Sequence, residues 1–169
     1  MAALDPLAMA GFKADQMAAL DPNAIAALDS TKVANLAADA MAGFKPDQIG
    51  AMDATAMAGF DPNKMAALDP LAMAGFKADQ MAALDPNAVA ALDSTKVANL
   101  AADAMAGFDN LKLNALDPTA VAGFKSDQLA ALDPTAMTGF SAAQMTALAP
   151  TAMAGFKSDQ VAALDPTAM

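Results

Sequence analysis

The stretch "LDPLAMAGFKADQMAA" runs from Leu4 to Ala19 and returns letter for letter from Leu68 to Ala83. It holds two versions of one eight-residue pattern, "LDPLAMAG" and "FKADQMAA". Stepping by eight from Leu4 gives Phe12, Leu20, Leu28, Leu36, Phe44, Met52 and so on to Leu164, and every residue met is Leu, Phe or Met. This is position one of an octad. Position six, from Met9, Met17, Ile25 and Val33 onward, is apolar throughout. All 10 prolines fall at position three, and position eight holds only Gly, Ala or Asn. The register never slips, so the 169 residues read as one array without an internal boundary. Met1 and Met169 both fall at position six, and neither end carries the polar capping unit that solenoids usually have. The expectation is a single octapeptide-repeat solenoid over residues 1–169, a fragment of a longer array.

An unbroken helix is excluded. Eight residues at 3.6 per turn leave the apolar row drifting by about 80° per repeat, and the prolines would interrupt it repeatedly. A strand fits poorly, because positions one and six would face opposite sides and Ala, Asp and Pro are weak strand formers. A single capped turn fits. In "LDPNAIAA", Leu20–Ala27, Asp21 is an N-cap and Pro22 stands at the first helical position. Leu20 and Ile25 occupy the two places of a hydrophobic staple, and Ser141 with Gln144 has capping-box spacing. Gly at position eight reads as a left-handed terminator, and Ala at position seven as a point of close backbone approach. One turn is unstable alone, so the turns must stack and bury positions one and six. Phe12, Met17, Leu20, Ile25, Phe44, Met73, Phe76 and Leu84 are the expected core. The fold class is therefore all-α, a solenoid of short one-turn helices.

Octads alternate. The eight Phe residues all occupy every second octad, interrupted only by Leu28 and Leu92, while Leu or Met52 fills the other row. Each Phe follows a Gly, which reads as local volume compensation. In the Phe row each Lys shares its octad with an Asp, as in Asp61 and Lys64; in the Leu row single Asp residues carry the whole net charge of -10. This alternation predicts a coil of two octads, 16 residues, with four compatible and three excluded because the rows would mix. It also predicts an acidic edge, with Asp5, Asp21, Asp53, Asp69 and Asp85 on one side and Lys13, Lys45 and Lys77 on the other. A second-level duplication relates Leu4–Gly43 to Leu68–Gly107, which differ only at Ile25 and Val89.

Composition narrows function. There is no His, Cys, Trp or Tyr; all 19 acids are Asp and all 9 bases are Lys. Without His or Cys the usual general base, thiol nucleophile and soft metal ligands are missing, so the reading is that the chain is not an enzyme and uses no cofactor. The acidic balance disfavours nucleic acid and anionic membranes, and no apolar run reaches the roughly 18 residues of a spanning helix. Met1 leads straight into the repeat without a basic region, so the expectation is that no signal peptide is present. The Met-rich stripe reads as core filling rather than a copper site. Divalent cations are the sharpest ligand hypothesis, with Asp5, Asp21, Asp53, Asp69, Asp85, Asp117 and Asp133 as a weak binding row, although single Asp residues spaced by eight are N-caps first. Asp93 and Lys96 read as a surface ion pair. Thr31, Thr55, Thr119, Thr135, Thr151 and Thr167 are too mixed with Asn, Asp and Leu to read as a regular ice-binding row. Uncapped apolar edges predict end-to-end self-association.

"FKADQMAA" at Phe12, "FKSDQLAA" at Phe124 and "FSAAQMTA" at Phe140 resemble the tandem octapeptide arrays of large bacterial exoproteins, which contain runs like Leu-Thr-x-x-Gln-Val-Ala-Ala. The frequent "LDP" opening departs from that pattern. The resemblance covers the whole chain and implies a rigid spacer or scaffold in a bacterial surface or secreted protein, extracellular or at the cell surface. Lack of Cys is equally compatible with the cytoplasm. The alternative is a binding module that uses the acidic row for divalent cations or a cationic partner.

Overall fold

The computed structural model describes residues 5–168. Every described octad forms one short helix: fifteen α-helices and six 3-10 helices, none longer than six residues, with no strand among the described residues. The all-α solenoid of short helices is the fold. Consecutive helices are joined by corners at positions one and two, where the backbone is extended, as at Met52 (φ -69°, ψ 144°) and Asp53 (φ -70°, ψ 144°).

The two rows differ in the helix they make. Phe-row octads are α-helical, as in Pro46–Ala51, Pro62–Ala67 and Ala78–Ala83. Their position-six N–H reaches back four residues, Ile49 to Lys45 O and Met65 to Asp61 O. Leu-row octads are 3-10 helices such as Pro70–Gly75, or single α-turns such as Pro22–Ile25. Here the cap Asp accepts from the N–H two residues on, Asp69 from Leu71 and Asp21 from Asn23, both at 2.8 Å. In the Phe row the cap Asp accepts from three residues on, Asp61 from Lys64 at 2.8 Å. The shorter reach closes a tighter first turn, which suits the three-residue period of a 3-10 helix.

Every helix packs against the helices 24 residues before and after it. Three continuous stacks result. The first holds the octads of Leu28, Met52, Phe76, Leu100, Phe124 and Leu148; the second those of Phe12, Leu36, Phe60, Leu84, Phe108, Leu132 and Phe156; the third those of Leu20, Phe44, Leu68, Leu92, Leu116, Phe140 and Leu164. The octad that begins at Leu4, itself outside the described residues, starts the first stack through Pro6–Gly11. The coil thus holds three octads, not two, and the rows do mix. The physical reason lies at position five. It is Gln or Lys in every Phe-row octad and Ala in every Leu-row octad. Stacking at three octads sets a long side chain over a methyl at each level, whereas two would set long on long and Ala on Ala.

Positions one and six fill the interior, from Met17, Ile25, Phe44, Met73, Phe76 and Leu84 onward. Phe12 and Leu20, in the first coil, are only partly buried. Rings of successive Phe-row octads meet edge-on across the core, Phe60 to Phe76 at 6.3 Å and Phe140 to Phe156 at 6.2 Å. Two expectations about small residues are corrected. Among the described residues none has positive φ, so Gly at position eight does not end turns in a left-handed conformation. Its role is close approach: a Cβ on Gly43, Gly75, Gly123 or Gly155 would lie 1.9–2.0 Å from the carbonyl oxygen of the position-three residue in the coil beneath. Position seven, at Ala10, Ala58 and Ala74, faces solvent instead.

Candidate functional site

Position five carries the most elaborate chemistry. In Gln48, Oε1 accepts from the Lys45 N–H at 2.9 Å, while Nε2 donates to Met17 O at 2.8 Å and Leu20 O at 2.7 Å. Those two carbonyls stand at the end of Ala14–Ala18 and at the corner behind it, one coil below. Gln80, Gln128, Gln144 and Gln160 repeat the arrangement with contacts of 2.7–3.0 Å, and all are at most 1% exposed. Each amide therefore caps its own helix and at once ties two carbonyls of the coil beneath, the position-six one of which, such as Met17 O, also accepts the position-one N–H of its own coil. Where position five is Lys, its stem is buried and its ammonium pairs with the cap Asp: Lys32–Asp29 at 2.6 Å, Lys64–Asp61 at 2.7 Å, Lys96–Asp93 at 3.1 Å and Lys112–Asp109 at 2.9 Å. Asp93 and Lys96 are thus a half-buried pair, not a free surface one. Capping-box spacing points to this interlock only at Ser141 and Gln144. The wider signal is the restriction of position five in the Phe row to Gln and Lys, and its covariation there with position two.

The acidic row is not brought together. Asp5 and Asp53 belong to the first stack, Asp85 and Asp133 to the second, and Asp21, Asp69 and Asp117 to the third. Within a stack they recur only at every second level. Lys13, Lys45 and Lys77 are likewise spread over the second, third and first stacks. Acid and base are interleaved around the axis, and the expected acidic edge does not form. The three-octad coil is the cause: an alternation of period two cannot stay on one side of a coil of period three. Among the described residues no three acidic side chains converge as a metal ion requires. The row carboxylates are engaged as caps, each accepting a backbone N–H at 2.8 Å.

Where a threonine hydroxyl joins the cap, hydrogen bonding also sets the acidity of the aspartate. The Thr55, Thr119, Thr135 and Thr167 hydroxyls each donate at 2.6 Å to the Asp two residues before. That bond, then the Thr backbone N–H, holds Asp53, Asp117, Asp133 and Asp165 below the ordinary carboxyl value of 3.8. These threonines are turn-closing residues shared among the three stacks. Asp29 and Asp61 are lowered first by the Lys ammonium, and Asp93 first by the Lys96 N–H. At Asp109 burial pushes upward most strongly, and the combined bonds from Lys112 still bring the net value down.

Shallow hollows follow the corners. One is lined by Ala18, Gly43, Phe44, Lys45, Asp69 and Leu71, and a second by Gly11, Phe12, Lys13, Asp15 and Asp39. Each is lined by apolar residues together with two or three charged ones, without the set of convergent polar groups that orients a small ligand. No helix among the described residues is long and apolar enough to cross a membrane. Neither a protein-family model nor a curated protein sequence matches this chain.

Proposed function

We propose that this chain is a structural spacer, a rigid segment that sets distance within a larger bacterial surface or secreted protein, without a catalytic step of its own. The observation that carries the reading is the buried Gln ladder, whose amides tie Pro46–Ala51, Ala78–Ala83, Ser126–Ala131, Ala142–Ala147 and Ser158–Ala163 to the coil beneath in one repeated geometry. The chemistry of the sequence goes into joining coils, so what the repeat multiplies is length. Seven levels per stack at the roughly 8–10 Å spacing of packed helices give a body about 60 Å long. The 64-residue duplication supports the same reading: 64 is not a multiple of 24, so identical residues such as Asp5 and Asp69 fall on different stacks. Duplication here extends the rod and does not repeat one binding face. Assignment to a surface or secreted protein rests on the resemblance to exoprotein octapeptide arrays.

The test uses the absence of cysteine. Ala10→Cys and Ala162→Cys, both at exposed position-seven sites, take spin labels at the two ends. The expected result is one narrow distance distribution that neither Ca²⁺ nor salt displaces. A broad distribution, or a large change with added Ca²⁺, would sink the spacer reading.

A further inference from the structure

We propose that residues 81–96 form a built-in yield point, the place at which the solenoid parts into two interlocked blocks when it is stressed. Position five of the Phe row alternates Gln and Lys from Gln16 to Gln80. Two Lys then follow each other, Lys96 and Lys112, before Gln128, Gln144 and Gln160. Gln48 ties back to Met17 and Leu20, and Gln80 to Ile49 and Met52. Gln128 reaches Val97 and Leu100, Gln144 reaches Leu113 and Leu116, and Gln160 reaches Leu129 and Leu132. The amide ties therefore run from Met17 to Gln80 and again from Val97 to Gln160. Among the described residues none joins the two runs. Lys32 and Lys64 each fall within the span of the next Gln; because Lys112 follows Lys96, no tie passes Lys96.

The aromatic ladder breaks at the same place. Among the described residues ring contacts join Phe60 to Phe76, Phe124 to Phe140 and Phe140 to Phe156, and none falls between Phe76 and Phe124. In that interval the Phe row carries Leu92. Lys96 and Lys112 turn their ammonium groups to Asp93 and Asp109 of their own octads, at 3.1 and 2.9 Å. Apolar packing is continuous there: Leu84, Val89, Leu92 and Val97 are buried. The rod is thus closed at rest, but the directional bonds that fix one coil on the next are missing. Stability of a solenoid is close to a sum over neighbouring contacts, and local opening begins where those are fewest. A yield point goes beyond the spacer role and does not depend on it, being a property of how the coils are joined.

Hydrogen exchange of the whole chain, read by mass spectrometry on peptides, tests this. Leu84–Leu100 is told from its near copy Leu20–Leu36 by Val89 in place of Ile25. It lies near mid-chain, where a uniform solenoid fraying from its ends is most protected. The expected result is the reverse: corrected for intrinsic rates, Leu84–Leu100 exchanges roughly tenfold or more faster than Phe60–Leu68 and Phe124–Leu132 on either side. Asp93→Lys with Lys96→Gln, and Asp109→Lys with Lys112→Gln, combined in one chain, carry the ladder across the gap. At the spacing of 31 and 28 residues that Gln80 keeps, the new amides face Met65 O and Leu68 O, and Met81 O and Leu84 O. Exchange in Leu84–Leu100 then slows roughly tenfold. Asp61→Lys with Lys64→Gln adds a tie inside a span already tied and leaves that exchange unchanged. Circular dichroism checks folding, and the wild-type profile alone decides if the combined variant does not fold. A wild type whose Leu84–Leu100 stretch is protected as well as its neighbours overturns the proposal. So does a folded combined variant without slower exchange there, or a control that slows it equally.

Discussion

Gly75 and Phe76 offer a sharp test of how the coils meet. A Cβ on Gly75 would lie 1.9 Å from Pro46 O and 2.6 Å from its carbonyl carbon, where ordinary contact begins at 3.4 Å. Backbone cannot rotate aside as a side chain would, so Gly75→Ala forces the coils apart by more than about 1 Å. Overpacking of this kind costs about 1–3 kcal/mol, offset by about 0.4–1 kcal/mol from the stiffer unfolded chain. A net loss of about 1–2 kcal/mol is expected. Phe76→Leu alone removes part of a fully buried ring and its edge contact with Phe60, a loss of about 1 kcal/mol. The double substitution is expected to cost less than the sum, by at least about 0.5 kcal/mol. The reason is already in the chain: at 27–28 and 91–92 the pair is Ala-Leu, and Gly precedes each Phe. A smaller position-one side chain lets the corner settle inward and gives the new methyl room. Urea midpoints of the four proteins, compared at equal slope, measure the coupling. Strict additivity, or a Gly75→Ala variant as stable as the parent, would refute the close-approach account.

Gln80→Glu keeps the acceptor for the Lys77 N–H but aims a carboxylate at Ile49 O and Met52 O; its folded pKa is raised, so the variant is weakest relative to the parent at neutral pH and recovers as pH falls through the carboxyl range. The parent behaves oppositely. Asp29, Asp53, Asp61, Asp93, Asp109, Asp117, Asp133 and Asp165 are lowered from 3.8, so their stabilisation is complete above that value and is lost as pH drops below it, readable as a urea midpoint flat above about pH 5 and falling in stronger acid. The paired change Asp61→Lys with Lys64→Gln turns one octad type into the other and is expected to hold or raise the thermal midpoint, because the new amide reaches the Val33 and Leu36 carbonyls as Gln80 reaches those of Ile49 and Met52; a fall of more than a few degrees would show the types are not interchangeable.

Much of this fold is legible because the octad is a local object. Asp at position two, Pro at position three and an apolar residue at position six state a capped turn within eight residues, and the turns form there: Asp21 accepts from the Asn23 N–H and Ile25 is buried. The number of octads per coil is not local. It depends on how Gln48 fits against residues 28 and 31 places earlier, and the Phe row points to period two only if like residues stack on like. The alternation states the opposite, that unlike octads meet. Gly at position eight misleads for a related reason: within its own turn it looks like a terminator, and only the neighbouring coil reveals the carbonyl it must clear.

That correction leads to an expectation that runs against intuition. The structural coil is 24 residues, yet the chemical alternation is 16. Deleting Met52–Ala67 removes two octads, two thirds of a coil, and joins the Phe44 octad to the Leu68 octad. Rows still alternate, and Gly75 comes to lie over Ser30 O, as Gly59 does now. Deleting Met52–Gly75 removes one whole coil and joins the Phe44 octad to the Phe76 octad. Across that joint three levels then stack like on like: Gln80 over Lys32, Ala88 over Ala40, and Lys96 over Gln48. Long side chains collide at two of these levels, and at the third two methyls leave a void, each a recognised source of destabilisation. Deleting Met52–Ala83 removes four octads and restores alternation. In a solenoid, stability is close to a sum over neighbouring contacts, so length alone would rank the three deletions in order of size. Alternation instead places the 24-residue deletion last, below the 32-residue one. Urea midpoints of the three variants decide between them, and a smooth decline with deleted length would show that position five does not govern how coils stack.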